Sequence, residues 1–348
     1  MTRLRRGALP LLVACLLTIP LGAGAEPAGT DSSWHSGMRM AMGTLWTVEA
    51  RGPRAEQLVD RGFAEIRRLD ALLSTYKADS ELSALNRGAG GTAVRLSAET
   101  WELLQRARDH AARSDGAFDP TVGSLMKAWG FKGMDYRLPD RASLEAARAR
   151  VGYRLLVLEP DHRARLSRAG VEVDLGAIAK GYAVDRALAV MRSGGALSGR
   201  VDAGGNQGVF GQPPSGEAWQ FGIRHPARAD TVLGTLHLAS GGISTSGDAE
   251  RGFWKDGVRY GHIVDPRTGW PARGCLSVTV VGPTAEVADT LSTTLYVQGP
   301  TLGKRHLEAY SGYSALWVLP GADALSWRVE RSAGFPAVRE LGSEEGGT

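Results

Sequence analysis

An aspartate and a threonine four residues apart, Asp289 and Thr293, form the polar pair whose chemistry is easiest to specify. They lie in the stretch VADTLSTTLY (287–296), where Leu291 and Leu295 keep the spacing of a buried helix face. Positions four apart differ by about 40° around a helix axis, so the two side chains point the same way. A sparse set of hard oxygens suits Mg²⁺, which keeps waters and often completes its shell with substrate phosphates. An Asp–Thr hydrogen bond within the helix is the alternative, and spacing alone does not choose between them.

A second motif, DLGAIAKGYAVD (174–185), has the pattern of a helix start that binds phosphate. Gly176 provides a turn after a predicted strand, and the exposed N–H groups of the following helix suit phosphate oxygens. Lys180 places a cation near the helix start, where the helix dipole makes a positive charge unfavourable. A bound anion such as phosphate would explain a lysine at this position. Asp185 follows just beyond the next turn. The alternative is an ordinary turn with a solvated lysine and a surface aspartate.

Two further segments could line a ligand. GGNQG (204–208) superficially resembles a dinucleotide fingerprint, but a second strand follows where a helix is required, so close approach of backbone to a ligand is the better interpretation. Residues 241–275 are predicted to be a long loop, and its aromatic side chains argue against disorder. The loop contains Asp265 and His262, the latter either a proton carrier, a phosphate partner or a structural histidine.

The elements that must position these residues indicate an α+β fold, with mixed or antiparallel sheets and packed helices in one large domain of two intimate lobes. Apolar spacing predicts helices over 53–73 and 283–297, and a third over 97–114 with Ser97 as its N-cap. Predicted strands lie at 40–50, 153–158, 171–175, 199–211 (with a glycine loop), 219–224, 232–240 and 276–282.

The ends of the chain are predicted to lie outside this fold. Residues 1–25 have a basic start, an apolar run and a small-residue cleavage site, which predicts an export signal and a periplasmic or exported protein. Secretory, twin-arginine and lipoprotein forms of that signal remain open, the last through Cys15. Residues 26–37 are predicted to be a linker, 38–338 the domain, and 339–348 a disordered tail.

Charge and cysteine content exclude several classes of function. The formal net charge of +4 falls to +1 once the three arginines of residues 1–25 are removed, and no basic cluster interleaved with aromatics suggests nucleic-acid binding. Cys275 is then the one remaining cysteine, so an internal disulfide and a cysteine metal site are both excluded.

Eight motifs occurring together and in order give the chain a strong resemblance to the ApbE-type FAD:protein FMN transferases. They run over about residues 38–310 and read MGT, STY…SELSALN, GAFDPTVGSLMKAWGF, DLGAIAKGYAVD, DAGGN, GISTSGD, HIVDPRTG and ADTLSTTLY. The resemblance implies the α+β fold of that family and an exported, Mg²⁺-dependent enzyme. Such an enzyme splits FAD and attaches FMN to a threonine or serine of a target protein, releasing AMP. The implied targets are flavin-carrying subunits of membrane redox complexes. Association of the enzyme itself with the inner membrane is open, because the lipoprotein form of its signal is open.

The resemblance also implies roles for individual residues. A magnesium ion would be held by the Ala177 carbonyl and the side chains of Asp289 and Thr293. His262 and Asp265 are the candidates for the base that takes the acceptor proton. Flavin contacts are expected at Met42, Tyr76, Phe118, Asp119, Lys180, Asp185, His262 and Ile263. A hydrolase that cleaves FAD with water, and a non-catalytic flavin carrier, are the rival functions.

Overall fold

The computed structural model describes residues 33–224, 232–247, 251–322 and 326–340. The predicted export signal, residues 26–32 of the predicted linker and residues 341–348 of the predicted tail lie outside these ranges. Two of the predicted boundaries need correction. Residues 34–37 belong to the first strand rather than to a linker, because their backbone pairs with Ala50 and its neighbours. Arg339 and Glu340 form a short strand rather than the start of a disordered tail.

The structure contains seven α-helices and sixteen strands in its described residues. The helices are α1 (Ala55–Leu73), α2 (Glu81–Arg87), α3 (Ala98–Arg113), α4 (Gly123–Ala128), α5 (Arg141–Arg148), α6 (Ala179–Ser193) and α7 (Ala285–Leu307). The strands are β1 (Trp34–Ala41), β2 (Thr44–Arg51), β3 (Val94–Arg95), β4 (Leu156–Glu159), β5 (Arg163–Leu166), β6 (Ser198–Asp202), β7 (Asn206–Phe210), β8 (Trp219–Arg224), β9 (Val232–Leu238), β10 (Gly241–Gly247), β11 (Gly252–Lys255), β12 (Val258–Gly261), β13 (Ser277–Gly282), β14 (Ser314–Pro320), β15 (Trp327–Arg331) and β16 (Arg339–Glu340). None of the described helices is both long and apolar enough to span a membrane.

One eight-stranded sheet organises the domain, in the order β1-β2-β6-β7-β10-β13-β14-β15 with antiparallel pairing throughout. Helices α1, α6 and α7 cover one face, where Val48, Val278 and Val280 are fully buried. The three-stranded sheet β16-β9-β8 covers the other face through residues such as Phe221 and Leu236. The two sets of buried side chains alternate along the strands, as pleated strands require. The predicted α+β class is confirmed.

A smaller lobe contains the sheet β3-β5-β4 and helices α2 and α3. Its buried leucines, among them Leu82, Leu103 and Leu166, belong to the same apolar cluster as Trp46 and Val201 of the large sheet. Because one continuous core joins the lobes, the chain folds as one domain of two lobes, as the sequence predicts.

Most predicted elements form, with boundaries shifted by a few residues. Ser97 is the N-cap of α3, since its Oγ accepts a hydrogen bond from the Thr100 N–H. Helix α7 continues to Leu307 rather than ending at 297, with a break at Gly299, where φ is 68° and ψ is 177° ahead of Pro300. A proline lacks the N–H that a continuous helix needs, so the chain bends there and resumes.

Two predictions about element type are wrong. Residues 171–175 form no strand: the Val173 N–H donates to the Asn86 side chain (2.8 Å) and the Asp174 N–H donates to the Pro120 carbonyl (2.8 Å). The alternating pattern therefore reflects burial between helix α2 and the loop at Pro120, not a sheet ladder. The predicted loop over 241–275 contains β10, which pairs with β7 and β13, and the hairpin β11–β12.

Candidate functional site

The site is built where the N-termini of α6 and α7 meet, and two carboxylates fix that contact. Asp289 of α7 accepts a hydrogen bond from the Gly181 N–H of α6 through Oδ2 (3.0 Å). Asp185 of α6 accepts hydrogen bonds from the Ala285 N–H (2.9 Å) and the Glu286 N–H (2.8 Å) at the start of α7. Each helix thus supplies the carboxylate that satisfies otherwise unpaired N–H groups of the other.

Only glycine at position 181 allows the helices to approach this closely. A Cβ there would lie 2.2 Å from the Ala285 carbonyl oxygen and 2.8 Å from the Asp289 Cβ. Real side chains do not tolerate such distances, so Gly181 determines the spacing between α6 and α7. The glycine of the AKGYAVD motif therefore has a packing role that the sequence pattern does not reveal.

Asp289 is buried, with 3% of its surface exposed, and this burial raises the pKa of its carboxyl. The positive charge of Lys180 and the Gly181 N–H act in the opposite direction and favour the carboxylate. The second oxygen of Asp289, Oδ1, receives no hydrogen bond from the described part of the chain. A buried carboxylate with one uncommitted oxygen is suited to a cation, whose charge would stabilise the ionised form.

The Ala177 carbonyl supplies a second candidate ligand. In a regular helix the Gly181 N–H would donate to the carbonyl four residues earlier, which is that of Ala177. Here the N–H donates to Asp289, and no donor within the described residues reaches the Ala177 oxygen. The same hydrogen bond that anchors Asp289 therefore leaves the carbonyl unpaired.

Thr293 and a chain of buried hydroxyls complete the donor set. The Oγ1 of Thr293 lies 3.2 Å from the Ser246 Oγ, which is 2.8 Å from the Ser292 Oγ. Ser292 in turn contacts Ser244 (3.0 Å), whose hydroxyl donates to the Asn206 Oδ1. The GISTSGD and DAGGN motifs thus lie behind the ADTLSTTLY helix and orient its hydroxyls. One carboxylate, one hydroxyl and one carbonyl are the hard oxygens that Mg²⁺ prefers, so the residues present fit that ion.

Lys180 lies in the first turn of α6, next to the Gly181 whose N–H binds Asp289. Its Nζ donates to the Gly176 carbonyl (2.7 Å), so the ammonium folds back over the glycine turn. Its charge lowers the pKa of both Asp289 and His262. The charge of Lys180 therefore acts both on Asp289, a predicted metal ligand, and on His262, the predicted proton carrier.

His262 has the geometry of a neutral acceptor of protons. Burial, together with the charges of Arg251, Lys180 and Arg259, lowers the pKa of its imidazole to about 4. Its Nδ1 lies 3.2 Å from the Arg251 carbonyl oxygen, which can only accept, so Nδ1 carries the proton in that contact. The lone pair is then on Nε2, where it can accept a proton from a substrate hydroxyl.

Asp265, the second candidate base, is committed to an ion pair. Its Oδ1 accepts from the Arg267 N–H and Nε, and its Oδ2 accepts from the Nη2 (2.9 Å each). The Asp265 backbone also accepts the Gly269 N–H, so the DPRTG motif is a closed turn. The geometry therefore favours His262 over Asp265 as the base.

The residues expected to contact a flavin fall into two groups. Tyr76 is 68% exposed and therefore accessible, whereas Met42, in the turn between β1 and β2 with a φ of 46°, is partly buried against the apolar core. Phe118 and Ile263 are buried in apolar clusters. The Asp119 carboxylate accepts from the Thr121 N–H and hydroxyl and from the Tyr153 N–H (2.6–2.8 Å). Like Asp185, Asp119 has its side chain occupied within the protein, and direct flavin contact of either stays a prediction.

Arg251 is a residue of this site that the sequence interpretation missed. Its carbonyl accepts from the His262 N–H (3.1 Å), and its charge acts on both His262 and Tyr76. A Cβ on Gly43, beside Met42, would lie 3.9 Å from its Nη2. Arg251 thus connects the MGT turn, Tyr76 and His262, which are distant in sequence. Its position five residues after Ser246 offered no signal of this.

Comparison with known proteins identifies relatives of this chain by sequence and by fold. The sequence model of the ApbE family matches residues 42–317. A protein of Treponema pallidum named FAD:protein FMN transferase is 32% identical over 343 residues, with 93% of each chain covered. The crystal structure of the ApbE protein of Thermotoga maritima superposes with a TM-score of 0.79 at 34% identity, covering 86% of this chain and 97% of that one. The flavinyl transferase ApbE of Pseudomonas stutzeri gives a TM-score of 0.77 at 31% identity, covering 86% and 95%.

The matched region contains every element of the site, from the MGT turn to the end of the ADTLSTTLY helix. On the extent of this match and on the shared fold, the chain belongs to the ApbE family.

Proposed function

We propose that this protein is an FAD:protein FMN transferase that uses Mg²⁺ to move FMN from FAD to a threonine or serine hydroxyl of an acceptor protein, releasing AMP. The observation that carries the proposal is the hydrogen bond from the Gly181 N–H to the Asp289 carboxylate, which leaves the Ala177 carbonyl without a donor among the described residues. Thr293 lies one turn along the same helix as Asp289, and the charge of Lys180 acts on both Asp289 and His262. The relatives named FAD:protein FMN transferase support the choice of substrate.

The metal would be held by the Asp289 carboxylate, the Thr293 hydroxyl and the Ala177 carbonyl. When bound, Mg²⁺ supplies charge that offsets the negative charge on pyrophosphate oxygens in phosphoryl transfer. Lys180 adds a positive charge beside the same group. Positioning and charge stabilisation are the main requirements of this reaction, and these residues provide both.

The acceptor hydroxyl has to lose a proton as it attacks. We assign that proton to the Nε2 of His262, because Nδ1 is engaged with the Arg251 carbonyl and the ring is neutral near pH 7. A bond forms between the acceptor oxygen and the phosphorus of FMN. The bond from that phosphorus to the bridging oxygen of the pyrophosphate breaks, and AMP leaves with this oxygen.

Residues 1–25 have the pattern of an export signal, which supports a periplasmic location for the enzyme. We propose that the enzyme acts there on a flavin-carrying subunit of a membrane redox complex. Anchoring of the enzyme itself in the inner membrane through a lipidated Cys15 would be shown by intact-mass analysis of the exported protein.

Intact-mass spectrometry tests the reaction. The mature protein is incubated with FAD, Mg²⁺ and a candidate acceptor domain. An acceptor that gains the mass of FMN less one water, with one AMP released, supports the transferase. Free FMN and AMP without an adduct would instead identify a hydrolase, and intact FAD after prolonged incubation would identify a flavin carrier.

A further inference from the structure

Arg106 of helix α3 contacts both helices whose N-termini form the candidate metal site. Its Nε donates to the Glu286 Oε1 (2.7 Å) in the first turn of α7, about one turn before Asp289. Its guanidinium carbon also lies 5.2 Å from the ring centroid of Tyr182 on α6, the residue after Gly181. One side chain of the small lobe therefore contacts both sides of the junction at which the Gly181 N–H binds the Asp289 carboxylate.

The pair between Arg106 and Glu286 is largely shielded from solvent on its acidic side. The Glu286 side chain is 13% exposed, and Arg106 is the one cation that pairs with it in the described part of the chain. Burial raises the pKa of Glu286, whereas the hydrogen bond and the charge of Arg106 lower it. A desolvated carboxylate that loses its partner is unfavourable. The first turn of α7 is therefore fixed to α3 as well as to α6.

Helix α3 also holds Tyr182 of α6 at two points. The ring of Tyr182 faces Arg106, and its hydroxyl donates to the Glu99 Oε1 (2.7 Å). Glu99 and Arg106 lie about two turns apart on α3, so they share one face of that helix. Glu99 is itself fixed by Arg68 of α1, whose Nη1 and Nη2 reach its two carboxylate oxygens (2.6 and 2.9 Å). This face of α3 therefore positions the first turn of α6 and is supported by α1.

The charge of Arg106 and its contacts would affect a bound cation in opposite directions. Burial raises the pKa of Asp185, and the negative charges of Glu286 and Asp289 raise it further, so these three carboxyls lie close together. A cation held by Asp289 would be repelled by Arg106 and attracted by an unpaired Glu286. Removal of the arginine would therefore strengthen Mg²⁺ binding if charge alone mattered. It would weaken Mg²⁺ binding if the contacts of Arg106 determine where Asp289 lies.

We propose that Arg106 is a positioning residue for the metal site, because it holds the first turns of α6 and α7 against α3 and so fixes Asp289 and the Ala177 carbonyl. The carbonyl depends on this contact, since it lacks a donor only while the Gly181 N–H donates to Asp289. Residues that orient metal ligands typically contribute about 10–100-fold to metal affinity. The inference rests on the proposed function, because it concerns the Mg²⁺ that FMN transfer would use.

The affinity for Mg²⁺, measured without turnover, tests the proposal. Mg²⁺ is titrated calorimetrically into the mature protein with FAD present and acceptor absent, and chromatography confirms that the FAD stays intact. We expect Arg106→Ala to raise the Mg²⁺ dissociation constant about tenfold or more. In the transfer reaction, its kcat at saturating Mg²⁺ should stay within about threefold of wild type.

Two further variants separate position from charge. Arg106→Lys keeps the charge but loses the planar group that pairs with Glu286 and faces Tyr182, so it should raise the dissociation constant by about threefold or more. Arg113→Ala is the matched control, because Arg113 lies on the same helix but faces the ring of Tyr310, beyond the end of α7. Its Mg²⁺ affinity should equal that of wild type.

Tighter Mg²⁺ binding in Arg106→Ala overturns the proposal, since it would show that only the charge of Arg106 reaches the site. A dissociation constant equal to that of Arg113→Ala overturns it too, as does a loss confined to kcat at saturating Mg²⁺. Circular dichroism establishes that each variant is folded during the titration, and Arg106→Lys decides the outcome if the alanine variant does not fold. Wild-type protein that binds no Mg²⁺ with FAD present contradicts the proposed metal site itself, so the two failures are distinguished.

Discussion

Asp185 and Asp289 each accept hydrogen bonds from the start of the helix on which the other lies. Asp185 of α6 accepts two N–H groups at the start of α7. Asp289 of α7 accepts one N–H group at the start of α6. The arrangement makes the position of each helix depend on the other. Because Asp289 is the only carboxylate among the three proposed metal ligands, the contact between the helices also determines where a cation would bind.

Asp289→Ala should abolish Mg²⁺-dependent turnover, with a loss of at least about 100-fold, because the one charged ligand is removed. It should also lower the free energy of unfolding by about 1–3 kcal/mol, since the Gly181 N–H loses its partner. Asp289→Asn separates the two effects, because its amide oxygen can still accept from Gly181. Turnover assays with an Mg²⁺ titration, alongside chemical denaturation, measure both. Normal activity in either variant would contradict the metal assignment.

Asp185→Ala should lower the free energy of unfolding by about 1–2 kcal/mol, the usual contribution of a helix cap. We also expect Mg²⁺ to bind about 10–100-fold more weakly, as when a residue that orients a ligand is lost. Asp185→Asn keeps one acceptor oxygen and should lose less in both respects. If Asp185 instead served mainly as a flavin contact, FAD affinity would fall in both variants while the Mg²⁺ dependence stayed unchanged.

Gly181→Ala should be strongly destabilising, by about 2 kcal/mol or more, because its Cβ would overlap the Ala285 carbonyl and push α6 away from α7. The melting temperature and the Mg²⁺ requirement should change together. Gly133→Ala is the control, since a Cβ there has no neighbour within 4 Å. Equal melting temperatures for the two variants would show that the helices adjust without penalty.

Ser292→Ala should lower stability by about 1–3 kcal/mol, because Ser292 is fully buried and its loss interrupts the hydroxyl chain between Ser244 and Ser246. Thr293 would lose part of its orientation, and the Mg²⁺ concentration for half-maximal activity should rise. Thr294→Val is a matched control, since the Thr294 hydroxyl donates only within the helix, to the Thr290 carbonyl (2.8 Å). Its unfolding free energy should change by less than about 1.5 kcal/mol.

The pH dependence of kcat/KM should report a neutral His262. Its imidazole is protonated in the free enzyme only as the pH falls toward about 4, so activity should be level near neutrality and decline below about pH 5. The unfolded chain takes up the proton at higher pH than the fold does, so stability should also decrease as the pH falls from about 6.5. Circular dichroism at each pH separates unfolding from titration. An inflection near pH 6.5 would contradict the buried imidazole.

The same base is tested by substitution. His262→Gln should lower kcat by about 10²–10⁴-fold, the usual range for general base catalysis. Asp265→Asn should act mainly through its turn, because the Asp265 carboxylate is engaged by Arg267. A larger loss in Asp265→Asn than in His262→Gln, with both proteins folded, would reverse the assignment.

Much of the fold follows from local pattern. The apolar stripe of α1, the Ser97 cap of α3 and the strand at 219–224 are set by neighbours within a few residues, and each forms close to its predicted position. The shared face of Asp289 and Thr293 likewise follows from helix periodicity. The sequence by itself therefore determined most of the elements, the fold class and the face of α7 that Asp289 and Thr293 share.

The tertiary structure decided which groups pair. Nothing local indicates that Asp185 accepts from the start of α7, or that the hydroxyls of Ser244, Ser246 and Ser292 meet across a sheet and a helix. The same holds for residues 171–175, whose strand-like pattern is satisfied by a side chain and a loop far away in sequence. Hydrogen-bond partners that are distant along the chain depend on the packing of the whole domain. The local periodicity of the sequence therefore does not reveal them.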